Sequence, residues 1–223
     1  MALNPQKGNM YKHITHTWNA IKGRCGYDCK YCYMKIFKLK PLRLDKSEFT
    51  VNLGTDNFIF VGSSTDMFHI NVPTVWIART LYYCNEYPNN RYLFQSKNPH
   101  RFFGFVGWYP LDSHFATTIE SNRNYPSMSQ APPVEERAKW IRIFGQHFPV
   151  SITIEPILDF DRDILVEWLK KISPEWVVIG ADSKGHQLPE PPMEKVAALI
   201  EKLSRFTEVI LKDNLSRIGV NKL

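Results

Sequence analysis

Cys25-Gly26-Tyr27-Asp28-Cys29-Lys30-Tyr31-Cys32-Tyr33 places three cysteines within eight residues, spaced C-x3-C-x2-C. Iron–sulfur clusters are held by cysteine thiolates, usually four. Three thiolates with no fourth cysteine nearby would leave one iron of a [4Fe–4S] cluster open to a substrate or cofactor. Zinc is the rival. It takes four N or S ligands in closed structural sites, and His13, His16 or Cys84 could complete such a set. Zinc ribbons and knuckles favour paired C-x2-C units, and only one such unit occurs here. A disulfide framework fits poorly, because four cysteines in 223 residues do not make a stapled secreted domain. Cys84 closes the apolar run Trp76-Ile77-Ala78-Arg79-Thr80-Leu81-Tyr82-Tyr83-Cys84 and reads as a buried core thiol.

The length of 223 residues suits one sizeable core, so a single domain over residues 1–223 is expected. Hydrophobic residues make up 43%, which excludes a disordered chain. No apolar run approaches the ~20 residues of a membrane helix. The start, Met1-Ala2-Leu3-Asn4-Pro5-Gln6-Lys7, lacks the apolar region of a secretory signal. A cytoplasmic protein is expected. The net charge of +6 permits contact with phosphates without establishing it. Basic residues thicken after the cysteines: Lys30, Lys35, Lys38, Lys40, Arg43 and Lys46. A solvated face is the ordinary reading of any one of them. Interleaved with Tyr31, Tyr33 and Phe37, the stretch also suits base stacking and phosphate contacts.

Short β-rich runs alternate with helical ones, which points to α/β architecture with parallel strands. The strands are expected at residues 13–19, 57–62, 91–96, 114–119, 150–154 and 175–180, with a seventh at 207–211. Helices are expected at 33–40, 74–86, 133–146, 161–172 and 192–205, and a weaker one at 99–106. The stretch 125–133 reads as a loop. In parallel α/β folds chemistry gathers at the C-terminal strand ends. Those ends carry the cysteine loop, Gly62-Ser63-Ser64-Thr65-Asp66, Lys97, Glu120-Ser121-Asn122, Glu155-Pro156 and Ala181-Asp182-Ser183-Lys184. Turns are polar in any protein, but Lys97, Glu120 and Glu155 lie at the ends of strongly apolar runs.

Cys25, Cys29, Tyr31 and Cys32 match C-x3-C-x-aromatic-C, so the chain resembles the radical S-adenosylmethionine (SAM) superfamily. Tyr31-Cys32-Tyr33 is most similar to the spore-photoproduct-lyase branch and to phage-encoded Gp37/Gp68-like proteins. The resemblance implies an open (β/α)6 partial TIM-like barrel. It implies a [4Fe–4S] cluster on Cys25, Cys29 and Cys32, with SAM chelating the open iron. An external one-electron reductant would supply the electron that splits SAM into methionine and a 5′-deoxyadenosyl radical, which abstracts hydrogen from the substrate. Gly62, Ser63, Ser64 and Asp66 stand where such proteins bind the SAM amino group, although the common form there is Gly-Gly-Glu. Lys97 matches a lysine that neutralises the SAM carboxylate. Glu120 falls where a polar residue meets the ribose or amino-acid part. Backbone at the fifth strand commonly borders the adenine, which points to Ile154 and Glu155, and Tyr31 takes the aromatic slot against it.

Tyr33 matches a relay tyrosine of spore photoproduct lyase. That enzyme's hydrogen-donating cysteine after the second strand is replaced here by Ser63, a far poorer hydrogen-atom donor. The resemblance and the basic charge together imply a nucleic-acid or nucleotide substrate, modified or rearranged at the base by something other than the same repair relay. Two alternatives stay open: a zinc- or cluster-bearing nucleic-acid-binding module without SAM chemistry, and a radical SAM enzyme for a small metabolite.

Overall fold

The computed structural model describes residues 3–6 and 11–220. Part of the Met1–Lys7 stretch lies outside them. The chain forms β1 (Asn4–Pro5), β2 (His16–Trp18), β3 (Ile21–Lys22), β4 (Arg43–Leu44), β5 (Phe58–Val61), α1 (Thr74–Asn85), β6 (Arg91–Gln95), β7 (Ser113–Thr118), α2 (Val134–Phe144), β8 (Val150–Ile154), α3 (Arg162–Ile172), β9 (Trp176–Ile179), α4 (Met193–Leu203) and β10 (Glu208–Leu211). Eight strands make one sheet in the order β1-β2-β5-β6-β7-β8-β9-β10. β2 and the six strands that follow it in this order are parallel, and β1 pairs antiparallel with β2 at one edge. The sheet is an open α/β partial barrel, as expected.

Both faces of the sheet are buried, so its strands are apolar throughout rather than alternating with polar residues. The alternation is instead between two cores. Phe58, Phe60, Leu93, Ala116, Trp176 and Val178 point to the inner face, where Tyr11 and Ile14 join them. Ile59, Val61, Tyr92, Phe94, Phe115, Ile152, Ile154, Val177 and Ile179 point outward into a larger core under the helices. α3 and α4 supply that outer core with Leu165, Val166 and Leu169 and with Val196, Leu199 and Leu203. α3 opens with Asp163 and closes with Lys170 and Lys171, which matches the helix dipole at both ends.

Two expected helices are only 3-10 turns, Tyr33–Ile36 and Pro99–Phe105. Nothing covers the apolar residues of the first: Ile36 is 65% exposed and Phe37 56%. A short helix without tertiary packing is not stable in water. The crossover from β2 to β5 therefore carries no α-helix. It holds the cysteine loop and the small β3–β4 ribbon instead.

Candidate active site

Strand parity selects which side chains reach the barrel mouth. Successive residues of a strand point to opposite faces. Inward-facing Leu93 is continued by Gln95 and Lys97, Ala116 by Thr118 and Glu120, and Ser151 by Thr153 and Glu155. Gln95, Lys97, Thr118, Thr153 and Glu155 all line one cavity of about 560 Å³ at the C-terminal strand ends. That size is typical of small-molecule sites, roughly 300–1,000 Å³. Cys29, Tyr31, Cys32, Tyr33, Gly62, Ser63 and Asp66 line its other side. Ile154 has the opposite parity. It is fully buried in the outer core, so its side chain is not at the site.

The cysteine loop is held from several directions. Gly26 is required there: a Cβ would come within 2.4 Å of the His69 ring, and that ring also packs edge-on to Tyr27 at 4.4 Å. Cys32 N–H donates to Cys29 O at 3.1 Å, turning the chain so that both thiols face the cavity. Tyr33 Oη donates to Ser63 O at 2.7 Å and ties this loop to the one after β5. That second loop turns at Gly62, with φ of +79°, a conformation that favours glycine. Asn19 cradles it, accepting from Ser64 N–H and Ser64 Oγ, both at 2.9 Å. Ser64 is thus spent on Asn19, and it does not line the cavity.

All four cysteines are free thiols. Burial pushes the Cys25 thiol up to about 12, with the Asp66 carboxylate adding to the effect. Burial also raises Cys32. Among the described residues neither His13, His16 nor Cys84 joins the loop cysteines to complete a zinc site. His13 packs on Phe58 and Trp176 at the opposite strand ends. His16 sits on β2 below the loop, and Cys84 is fully buried in α1. Among the described residues, no three His, Cys, Asp or Glu side chains gather closely enough to hold one metal ion. A cluster makes a different demand, since each thiolate binds a separate iron and the three sulfurs must stand apart.

A charged network underlies the cavity. Glu120 is 3% exposed and sits behind the lining, paired with Lys97 and with Arg137 Nη1 at 2.8 Å. Tyr31 Oη also donates to Glu120. Burial alone would raise the Glu120 carboxyl, but Arg137 and Lys97 outweigh it and hold the group at about 2. Lys97 Nζ lies 3.1 Å from Tyr31 Oη and 5.2 Å from that ring's centre. An ammonium has three N–H donors, so Glu120 and Tyr31 leave Lys97 one for a ligand. Asp66 lines the cavity and also ties its walls together. It accepts from Ser96 Oγ at 2.8 Å and from Lys97 N–H at 2.8 Å, and burial raises its carboxyl. Its work is to join the β5 and β6 loops. On the far wall, Glu155 accepts from Lys212 Nζ at 2.7 Å and Asn214 Nδ2 at 3.1 Å.

Sequence reasoning missed Asn19, Arg137, Lys212 and Asn214. Arg137 carried a signal: it occupies a core-facing position of α2, among Val134, Ala138, Ile141 and Phe144. An arginine inside an apolar helix face needs a buried acceptor, and Glu120 is that acceptor.

No protein-family model matches the chain, and no curated protein matches it. Solved structures do. A spore photoproduct lyase mutant with bound AdoMet and dinucleoside spore photoproduct aligns with a TM-score of 0.69 at 10% identity, over 92% of this chain and 78% of that one. Streptococcus suis SuiB bound to its precursor peptide SuiA aligns at 0.61 and 8% identity, over 87% of this chain and 48% of that one. SuiB bound to S-adenosylmethionine aligns at 0.56 and 10% identity, over 87% of this chain and 46% of that one. The chain thus shares the fold of these structures over most of its length.

Proposed function

We propose that this chain is a radical SAM enzyme acting on a nucleic-acid or nucleotide substrate. One observation carries the reading: two of the three loop cysteines and Lys97 line the same cavity. Cys25, Cys29 and Cys32 would hold three irons of a [4Fe–4S] cluster, leaving the fourth for SAM. When bound and reduced by an external one-electron donor, the pair supplies SAM cleavage and a radical able to abstract hydrogen.

The chain's own residues then bind and orient. Lys97 offers its remaining N–H to the SAM carboxylate, and Glu120 with Arg137 fixes the lysine in place. Ser63 lines the cavity beside the Gly62 turn, with its hydroxyl oxygen accepting from Asn19 Nδ2 at 3.2 Å. The Tyr31 ring and Glu155 border the cavity from opposite sides, where an adenine could be enclosed. Tyr33 stands at the mouth with its phenol held on Ser63 O, next to the exposed Ile36 and Phe37.

The substrate class rests on that mouth. Lys35, Lys38 and Lys40 are exposed beside its apolar rim, although Lys35 is engaged with Asp28 at 2.8 Å. Apolar side chains flanked by ammonium groups suit a base with its phosphate. A spore photoproduct lyase of this fold is solved with a dinucleoside spore photoproduct bound, which favours the same class here. Ser63 stands where that lyase's thiol donor would be, so repair through the same relay is not proposed.

The test is anaerobic reconstitution followed by incubation with SAM and reductant, alone and with single-stranded DNA, a nucleotide or a peptide. About four irons per chain and formation of 5′-deoxyadenosine, stimulated by DNA or nucleotide, are expected. Protein that binds no iron, or loaded protein that leaves SAM intact, would refute the enzyme. Stimulation by peptide alone would refute the substrate class.

A further inference from the structure

The loop after β7 passes over the cysteines as a strap. Its root is fixed: Ser121 Oγ donates to Asp159 O at 2.6 Å, Arg123 pairs with Asp159 and Asp161, and Tyr125 Oη donates to Asp159 O at 2.9 Å. Its far end is laced to the cysteine loop by two backbone bonds. Lys30 N–H donates to Met128 O at 2.8 Å, and Gln130 N–H donates to Tyr27 O at 2.7 Å. Between them stands Ser129, with Oγ 3.1 Å from Cys29 Sγ.

The direction of that contact follows from the partners. Ser129 Oγ accepts from Ala131 N–H at 3.1 Å, so the hydroxyl proton is free to point elsewhere. Its two targets are Tyr27 O at 3.4 Å and Cys29 Sγ at 3.1 Å. Tyr27 O also accepts from Gln130 N–H and keeps one lone pair for a longer bond from Ser129, so Cys29 Sγ is the nearer of two competing acceptors. A ligating thiolate has no proton and can only accept. It also carries negative charge, which strengthens a hydrogen bond made to it.

We infer that Ser129 is a positioning residue for the cluster: its hydroxyl donates to the Cys29 thiolate, orients that ligand and raises the cluster's reduction potential. The inference rests on the reading of Cys29 as a cluster ligand. Partners outside the ligand shell orient ligands and tune the metal, and hydrogen bonds to the sulfurs are among the determinants of cluster potential. Reduction adds an electron whose charge spreads onto the sulfurs. A donor at Cys29 therefore stabilises the reduced state more than the oxidised one.

The test uses the full chain, reconstituted anaerobically without SAM, as wild type, Ser129→Ala, Ser129→Thr and Ser129→Val. Iron and sulfide are counted, and the midpoint potential is read from the electron paramagnetic resonance signal of the reduced cluster. With iron retained, the reduced-to-oxidised ratio of Ser129→Ala at the wild-type midpoint should fall about tenfold, equivalent to about 59 mV for one electron. Ser129→Thr keeps a hydroxyl and should stay near wild type. Ser129→Val has the shape of threonine without the hydroxyl and should fall with alanine. The Thr and Val pair also decides the matter if the alanine variant does not load. Thr and Val titrating alike, or alanine titrating at or above wild type, would overturn the role of Ser129 while leaving the cluster standing. A wild type that binds no cluster would overturn both readings at once.

Discussion

Glu120→Gln removes one negative charge from beneath the cavity and keeps its shape. The native carboxyl lies at about 2 against an ordinary 4.5, because Arg137 and Lys97 overcome the burial that would raise it. At about 1.36 kcal/mol per pH unit, that gap corresponds to about 3 kcal/mol of stability at neutral pH. The sign follows from proton uptake. Between about 2 and 4.5 the unfolded chain binds the proton and the folded chain does not, so stability falls as pH drops through that window. The contribution is complete above 4.5, and about 2 kcal/mol of it is gone by pH 3. Glutamine also leaves Arg137 and Lys97 without a counter-charge, and breaking a buried pair typically costs about 3–5 kcal/mol. Glu120→Gln should therefore cost about 3 kcal/mol at pH 7, a melting shift of roughly 6–12 °C for a chain of this size. The cost should shrink to about 1 kcal/mol at pH 3. Urea unfolding of both proteins at the two pH values measures it, since acid effects common to both cancel. A cost below about 1 kcal/mol at pH 7, or one equal at both pH values, would refute the view of Glu120 as a charged hub.

Cys84→Ala should leave iron content unchanged, whereas alanine at Cys25, Cys29 or Cys32 should abolish or sharply lower it; iron and sulfide analysis after reconstitution decides. His114 is fully buried, stacked on Trp176 at 3.8 Å, and burial holds its imidazole down at about 3. Because the unfolded chain takes the proton below its ordinary 6.5, this residue should cost wild type about 2 kcal/mol of stability between pH 7.5 and 5; that slope should vanish in His114→Phe, whatever its absolute stability. Lys97→Met should weaken SAM binding about tenfold or more, read by calorimetry on the loaded protein, while iron content holds. Reversal of Lys38 and Lys40 to Glu should weaken single-stranded DNA binding and flatten its dependence on salt; unchanged binding would mark those lysines as an ordinary solvated face.

The parallel sheet was legible because its strands are buried on both sides. Phe58-Ile59-Phe60-Val61 and Trp176-Val177-Val178-Ile179 are unbroken apolar runs, and each lies within one residue of its expected bounds at either end. α3 was legible from its terminal charges. The segment after the cysteines was not. Tyr33-Met34-Lys35-Ile36-Phe37-Lys38 has the residue types of an amphipathic helix, but it lies at the cavity mouth with nothing packed over it. Its apolar side chains stay exposed, and a single 3-10 turn forms. A local pattern cannot report the absence of a tertiary partner.

The site was legible to the extent that period-two geometry decides it. Lys97, Glu120 and Glu155 each lie an even number of residues beyond an inward-facing strand residue, so all three were bound to arrive at one end of the barrel. Ile154, one residue before Glu155, was bound for the outer core by the same rule. What the rule cannot supply is pairing. Whether Lys97 meets solvent, a ligand or a carboxylate depends on Arg137, which arrives from α2 and sets the charge balance around Glu120. Two cations against one carboxylate leave the network with a single positive charge, and Lys97 is the member of it that faces the cavity. Asp66 accepts from the Lys97 backbone N–H rather than from its ammonium, so an anionic ligand such as a SAM carboxylate would meet the ammonium from the cavity side.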